Sequence, residues 1–442
     1  MKEFPPHLAT IVPAASAAAG VDFPFFKNIF ATYDIQWLTL TSSKTANFNL
    51  FGESDVWIQR YRDWYLNRRP YKDLDQIAGN TSTYFQTWIK HPTPDSYWQA
   101  MNPTLDQYAK MNIPILSITG IYDGDQPGAL YHYKMHMKNA SVESRAKHYL
   151  IIGPWDHAGT RTPNKEVGGL TFGDASMVDL NKLHKEWYDW TLKDGKRPEF
   201  LKEQIAYYVT GAEEWKYAKS FEAISNSKKT LYLQSDGQAN EVWKSGKLSA
   251  EKPGNQKPDR YVYDPLDLRP AELETAEVRE NLTDQRYALN LYGNGLVYHS
   301  EPFAEPAEVS GHLKLTTWIS MDVPDTDFQV SVYEITREGK SILLSEDFLR
   351  ARYRDSLLQE KLVEPGEINR YQFDAFPFVS RKIAQGSRIR LLIRCPNTIY
   401  LQKNYNSGGI VAQETAKDAR TAHIQLFHDV EHPSSLELPV VK

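Results

Sequence analysis

The sequence has a single cysteine in 442 residues. Cys395 therefore cannot form an intramolecular disulfide, and no CxxC pair supplies a zinc ligand set. It lies in the alternating apolar stretch RIRLLIRCPNT, where a buried structural thiol is expected rather than a nucleophile. One cysteine leaves the compartment open. No uninterrupted apolar run reaches the roughly 20 residues needed to cross a bilayer, so no membrane partner is indicated. The opening stretch MKEFPPHLATIVPAASAAAG is broken by prolines where a signal peptide needs an unbroken apolar segment. It reads as a loop entering a strand, HLATIVPAA. There is no excess of basic charge: 51 Lys and Arg stand against 56 Asp and Glu, for a net charge of −5. With those charges spread along the chain, a nucleic-acid partner is not indicated. Internal repeats and low-complexity tracts are also missing.

What is present is ordinary for a globular protein of two or three domains, with 41% hydrophobic and 24% charged residues. The 26 Tyr and 11 Trp are numerous. Most are expected to pack cores and interfaces, and some could line a pocket for an organic ligand. Three regimes follow one another. Residues 1–47 and 111–200 alternate short apolar runs with helical stretches. HLATIVP and IPILSITG look like strands covered on both faces, and YHYKMHMKNA and VDLNKLHKEWYDWTLKDG look like helices. This order predicts a parallel α/β sheet. Residues 48–110 are aromatic-rich and helical in period, as in SDVWIQRYRDWYLNRRPY, and predict a helical cap inserted into the α/β part. From residue 201 to 442 short alternating segments, including QIAYYVTG, TLYLQSDG and FQVSVYEI, predict a β-sandwich. Residues 245–260 read as a solvated loop within it.

Two loops carry candidate chemistry. GIYDGDQPG follows the strand IPILSITG and holds Asp123. GPWDHAG follows the strand at LIIG and holds His157. The spacing of 34 positions leaves room for one helix and one strand. Ligands of open α/β sheets bind at the carboxyl ends of the strands, so this acid and this histidine can meet there. An Asp followed by a His at the close of an α/β domain fits the end of the Ser, Asp, His order of serine hydrolases. In that chemistry His157 is the general base and Asp123 holds its tautomer. The alternative is that Asp123 is a turn residue and His157 an ordinary loop residue. Asp156 adjoins His157 in sequence, cannot easily orient it, and is read as a loop group.

GIYDGDQPGAL, LIIGPWDHAG, HPTPDSYW, LHKEWYDWTLKDG, DVPDTDF, LRARYRDS and HPSSLELPV occur in one order along nearly the whole chain. Together they resemble the cocaine esterase/X-Pro dipeptidyl-peptidase family of serine hydrolases. The resemblance implies an α/β-hydrolase domain with a helical cap and a C-terminal jelly roll. It implies small-molecule substrates: acyl esters, α-amino-acid esters including β-lactam antibiotics, cephalosporin side-chain amides, or X-Pro peptides. It implies no cofactor and no metal. Asp123 matches the triad acid and His157 the triad base. Asp125 matches one of the acidic positions that hold a substrate ammonium, with Gln126 where a second carboxylate is expected.

One part of the family pattern is missing. The nucleophile elbow G-x-S-x-G does not occur. Gly52-Glu53-Ser54 comes nearest, but it lacks the second glycine and lies in the cap region. The expectation is a serine hydrolase truncated before its nucleophile, inactive alone, with HLATIVPAA as an open apolar edge. The missing segment would lie upstream in a longer protein, or a separate chain would supply it; a homo-oligomer is the other partner expected. The alternative is a catalytically inactive relic or binding protein using cap and jelly roll. Other clusters carry less. Asp322, Asp325 and Asp327 in SMDVPDTDF lack the pattern of a calcium loop. His132 and His136 stand at i, i+4 without a metalloprotease glutamate and read as surface or interface residues. His184 reads as a packing residue.

Overall fold

The computed structural model describes residues 2–41, 48–79, 81–275, 281–284, 286 and 290–442. The expected boundary at residue 47 falls in 42–47, outside the described residues. The helical layer begins before it, with α1 at Tyr33–Thr41. It continues through α2 (Ser54–Leu66), α3 (Thr83–Trp88) and α4 (Leu105–Lys110). α4 opens with a reciprocal capping box between Thr104 and Gln107. A buried aromatic cluster including Trp57, Tyr61, Trp64 and Tyr71 holds this layer together. Those residues explain most of the aromatic excess as packing bulk.

The α/β part is a sheet of four strands: β1 (Ile115–Gly120), β2 (His148–Gly153), β3 (Ile205–Val209) and β4 (Glu214–Ala218), in that order. β1, β2 and β3 run parallel, and β4 returns antiparallel. Helices α5 (Gln126–Asn139) and α6 (Leu180–Leu192) pack on it. The expected boundary at residue 200 is therefore wrong. QIAYYVTG belongs to this sheet and not to the β-domain. Its IAYYV core is buried at every position, as in β1 and β2. That is the mark of a strand covered on both faces and not of a half-solvated one.

The segment matching HLATIVPAA lies along β1 in parallel but is not a continuous strand. Four backbone hydrogen bonds join it to the sheet, among them Ile118 N to Pro13 O at 2.9 Å and Ala15 N to Ile118 O at 2.9 Å. Pro13 has no N–H to extend the ladder. Residues 11–14 are half-buried, less covered than expected, and no described strand pairs with their outer side.

The rest of the chain forms one thirteen-stranded sheet folded around a single large core of Leu, Ile, Val and aromatic residues. Within the expected loop 245–260, Gly246–Ser249 forms a strand paired to Gly295–Ser300 and Ser227–Gln234. The DVPDTDF and LRARYRDS segments meet inside this domain. Arg350 grips Asp327 with bonds of 2.8 and 3.0 Å, and Arg352 reaches Asp325 at 2.8 Å. Arg350 also donates to the carbonyl of Asn28 at 3.0 Å, which ties the Phe25–Phe30 hairpin to the β-domain. Asp322 faces His423 at 2.7 Å instead. The three aspartates are thus split between separate ion pairs. Cys395 is buried, as expected. No helix among the described residues is long and apolar enough to cross a membrane.

Candidate active site

The two loops singled out above are zipped together beyond the ends of their strands. β1 and β2 are in register from Ile115 with His148 to Gly120 with Gly153. Past them Ile121 N donates to Gly153 O at 2.8 Å, and Tyr122 N to Trp155 O at 3.0 Å. Small residues allow this. A Cβ on Gly120 would overlap the Trp155 carbonyl, and one on Gly153 would overlap the Trp155 ring. That ring is fully buried and its Nε1 donates to Ser176 O at 3.0 Å. The fixed crossing delivers Asp123 and His157 to the same place.

His157 Nδ1 lies 3.1 Å from Asp123 Oδ1 and 3.4 Å from Asp125 Oδ2. The Asp123 side chain is fully buried, while that of His157 is 52% exposed. Asp123 also accepts from Asp125 N at 3.0 Å and from Thr119 Oγ1 at 3.2 Å. A carboxylate satisfied in this way orients the ring with Nδ1–H toward itself. Nε2, which has no hydrogen bond among the described residues, is then left as the basic nitrogen. The hydrogen bond to Asp123 raises the His157 pKa. The negative charges of Asp123 and Asp125 add to the rise; burial and the Arg161 charge oppose it. Asp125 is pushed up to about 6, first by burial and then by the Asp123 charge. Asp156 does not touch the ring. Its Oδ1 accepts from Gly159 N at 2.7 Å and shapes the loop.

Sequence reasoning missed one neighbour. Asp22 accepts from Ala18 N at 2.8 Å and from Gly128 N, at the start of α5, at 2.5 Å. It is pushed up to about 7, chiefly by burial and in part by the Asp125 charge. A helical layer separates it from Asp125 in sequence, so spacing could not have linked the two. Gln126, by contrast, is no substitute for a second carboxylate facing a ligand. It is fully buried, donates to the carbonyls of Gly120, Ile121 and Phe378 at 3.0 to 3.2 Å, and accepts from Phe378 N at 2.6 Å. It clasps the β-domain to the loop that carries Asp123.

A cavity of about 800 Å³ lies between residues 94–105 of the helical layer, α5, and loops 357–358 and 374–377 of the β-domain. Its wall includes Gly20 and Val21, just before Asp22, and Gln126 and Pro127, just after Asp125. His157 and Asp123 are not part of that wall.

Among the described residues, Asp123, Asp125 and His157 are the group whose ligand atoms, all within 4.8 Å of one another, could hold a metal ion. An ion there would take Nδ1 and break the bond to Asp123. His132 and His136 do not meet at such a site. His132 bonds Tyr108 OH at 2.6 Å. His136 is buried, contrary to expectation, in a chain through the core. Its Nε2 reaches Met111 O at 3.2 Å, its Nδ1 meets His148 Nδ1 at 3.0 Å, and His148 Nε2 meets Ser117 Oγ at 2.9 Å. His184 lies on α6.

Residues 189–437 match the family model of the X-Pro dipeptidyl-peptidase C-terminal non-catalytic domain, and residues 1–159 that of X-Pro dipeptidyl-peptidase (S15 family). The cocaine esterase of Rhodococcus sp. (strain MB1 Bresler) is 27% identical over 360 residues, covering 80% of this chain and 61% of that protein. The chain thus spans less than two thirds of that relative. Among solved structures, an aminopeptidase from a marine sediment archaeon, Thaumarchaeota archaeon, superposes with a TM-score of 0.83 at 23% identity. That match covers 99% of this chain and 73% of the other. An α-amino acid ester hydrolase superposes with a TM-score of 0.82 at 21% identity, covering 98% and 73%. Both are likenesses of fold.

Proposed function

Since the chain belongs to the cocaine esterase/X-Pro dipeptidyl-peptidase family of serine hydrolases, we propose that Asp123 and His157 are the acid and base of an esterase or peptidase site. The four-stranded sheet is then part of an α/β-hydrolase domain, the helices from Tyr33 to Lys110 its cap, and the thirteen-stranded sheet a jelly roll. One observation carries the reading: His157 Nδ1 is held by a buried carboxylate, while the side chain is half exposed and Nε2 has no partner among the described residues. In the reaction Nε2 takes the proton of a serine hydroxyl as its oxygen attacks the substrate carbonyl. It then passes that proton to the leaving alcohol or amine, and repeats the cycle with water to release the acyl group. Asp123 stabilises the imidazolium formed at each stage.

The substrate is read from Asp22 and Asp125. Two carboxyl groups with raised proton affinity, Asp125 beside the base and Asp22 within reach of the Asp125 charge, favour a substrate carrying a free amine, whose ammonium relieves their mutual repulsion. Amino-acid esters and amides and peptides with a free amino terminus fit this. The cavity beside them would take the rest of the molecule.

None of the 442 residues presents a serine in a G-x-S-x-G elbow. The nucleophile is proposed to come from a polypeptide segment outside them. The 442-residue chain alone is expected to turn over p-nitrophenyl acetate at the background rate. Supplying the segment that bears the elbow should give turnover that disappears in His157→Ala. Turnover by the chain alone that is abolished in His157→Ala would refute the proposal. The cavity favours a second reading, a protein that binds the same amines without cleaving them. That reading holds if the elbow segment restores no turnover.

A further inference from the structure

α5 turns one face to the cavity along its whole length. Pro127, Leu130, Tyr131, Lys134 and Met135 all line it, at the i, i+3, i+4, i+7, i+8 spacing of a single helical face. From Pro127 to Lys134 the helix rises about 10 Å. The cavity is therefore a trough. Its wall at one end includes Gly20, Val21, Gln126 and Pro127, the chain neighbours of Asp22 and Asp125, and at the other end Lys134 and His312 of the β-domain.

The far end is built. Lys134 Nζ lies 2.7 Å from His312 Nε2, and His312 Nδ1 lies 2.9 Å from Phe376 O. The carbonyl fixes the proton on Nδ1, so Nε2 accepts and the lysine donates. Burial and the neighbouring lysine push His312 down to about 4, so the ring is neutral. Burial among protein atoms pushes Lys134 down to about 8, and the Glu222 charge pulls it back up. The amine is thus cationic at neutral pH. It stands 5.1 Å over the Phe221 ring. No described carboxylate forms an ion pair with it. The acid in the wall, Asp374, is already paired with Lys27 at 3.1 Å. Lys134 is part of the trough wall, and beyond His312 no hydrogen-bond acceptor of its ammonium is described.

We infer that the trough binds short zwitterionic ligands, with the amine at Asp22 and Asp125 and a carboxylate about 10 Å away at Lys134. Its apolar middle takes the side chains between the two charges. A peptide of three residues has this span at about 3.3–3.6 Å per residue. The amine end rests on the function proposed above; the carboxylate end does not.

The test is calorimetric binding to the intact 442-residue chain of phenylalanyl-glycyl-glycine, its C-terminal amide and its N-acetyl derivative. The free acid is expected to bind at least ten-fold more tightly than the amide. This ratio should fall below two-fold in Lys134→Met and in Lys134→Gln, two variants that guard against a single folding failure. Asp125→Asn should keep the acid-over-amide ratio and lose the preference for the free amine over the N-acetyl form. Equal binding of acid and amide, a ratio that persists in both lysine variants, or no binding of any of the three at millimolar concentration overturns the inference. If the acid is preferred but the N-acetyl form binds as well as the free amine, the amine reading fails and the carboxylate site stands.

Discussion

Replacing Gln126 by leucine tests how the β-domain is held to the loop that carries Asp123. The side chain is fully buried and makes four hydrogen bonds, all to backbone groups: Gly120 O, Ile121 O, Phe378 O and Phe378 N. Leucine keeps the volume and removes every bond. Gly120 O retains a second donor in Asp123 N at 3.3 Å. The other three groups lose their Gln126 partner away from water. At ~1–3 kcal/mol for each buried group left unsatisfied, the loss is about 3–9 kcal/mol. That is a large fraction of the ~5–15 kcal/mol available to a domain. Gln126→Glu should be worse in a pH-dependent way. A carboxylate cannot face three carbonyl oxygens, so the glutamate must stay protonated. Its folded pKa is then raised, and stability is lost as pH rises above the free value of about 4.3, at ~1.4 kcal/mol per pH unit. Urea denaturation followed by tryptophan fluorescence measures both effects. The wild-type transition is expected to move to lower denaturant in Gln126→Leu and to split as the two domains uncouple. A loss below about 1 kcal/mol with one unsplit transition, or a Gln126→Glu variant insensitive to pH, would refute this reasoning.

Asp123→Asn and Asp125→Asn should both lower the His157 pKa when followed by NMR titration. The first should lower it more, because the Asp123 bond is the leading cause of the rise; the reverse order would be inconsistent with the geometry. The buried Ser117, His148, His136 chain predicts acid sensitivity. Burial holds both histidines below their ordinary value, so stability should fall as pH drops below 6.5, by ~1.4 kcal/mol per pH unit for His148 alone. His148→Gln should flatten that slope in denaturation curves taken between pH 6.5 and 4.5, and an unchanged slope counts against the chain. Gly120→Ala places a methyl against the Trp155 carbonyl. It should cost about 1–3 kcal/mol, as overpacking does, and bring the His157 titration back toward an ordinary value. A variant as stable as wild type, with an unmoved titration, would show that the crossing is not tight.

The Asp123 and His157 pairing was legible because it is written locally: an apolar run, a glycine, a loop, and a spacing that leaves room for one helix and one strand. Asp22 and the role of Gln126 were not. Their partners lie 106 and 252 residues away, and nothing in a turn aspartate or an α-helical glutamine announces such a contact. QIAYYVTG was misplaced for a different reason. A strand covered on both faces and a strand at the start of a β-sandwich differ only in whether polar residues alternate, and five residues are too few to show it. The helices begin at Tyr33 and not at 48 because α1 buries Ile35 and Leu38 in the aromatic cluster of the helical layer, a long-range fact. The trough was invisible because six separate stretches of chain build it.

α5 serves three clients at once, in fixed rotational phase. One face lines the trough, the opposite side sends His136 into the core chain, and the first turn carries the Gln126 clasp and the Gly128 amide that holds Asp22. One inserted or deleted residue within it would turn everything beyond by about 100°. Lys134 would leave the trough as His136 left the core. Individual side chains on the trough face can be exchanged one at a time, so ligand choice can drift by substitution. A change of length cannot be absorbed. This helix should therefore tolerate variation in spelling but not in metre.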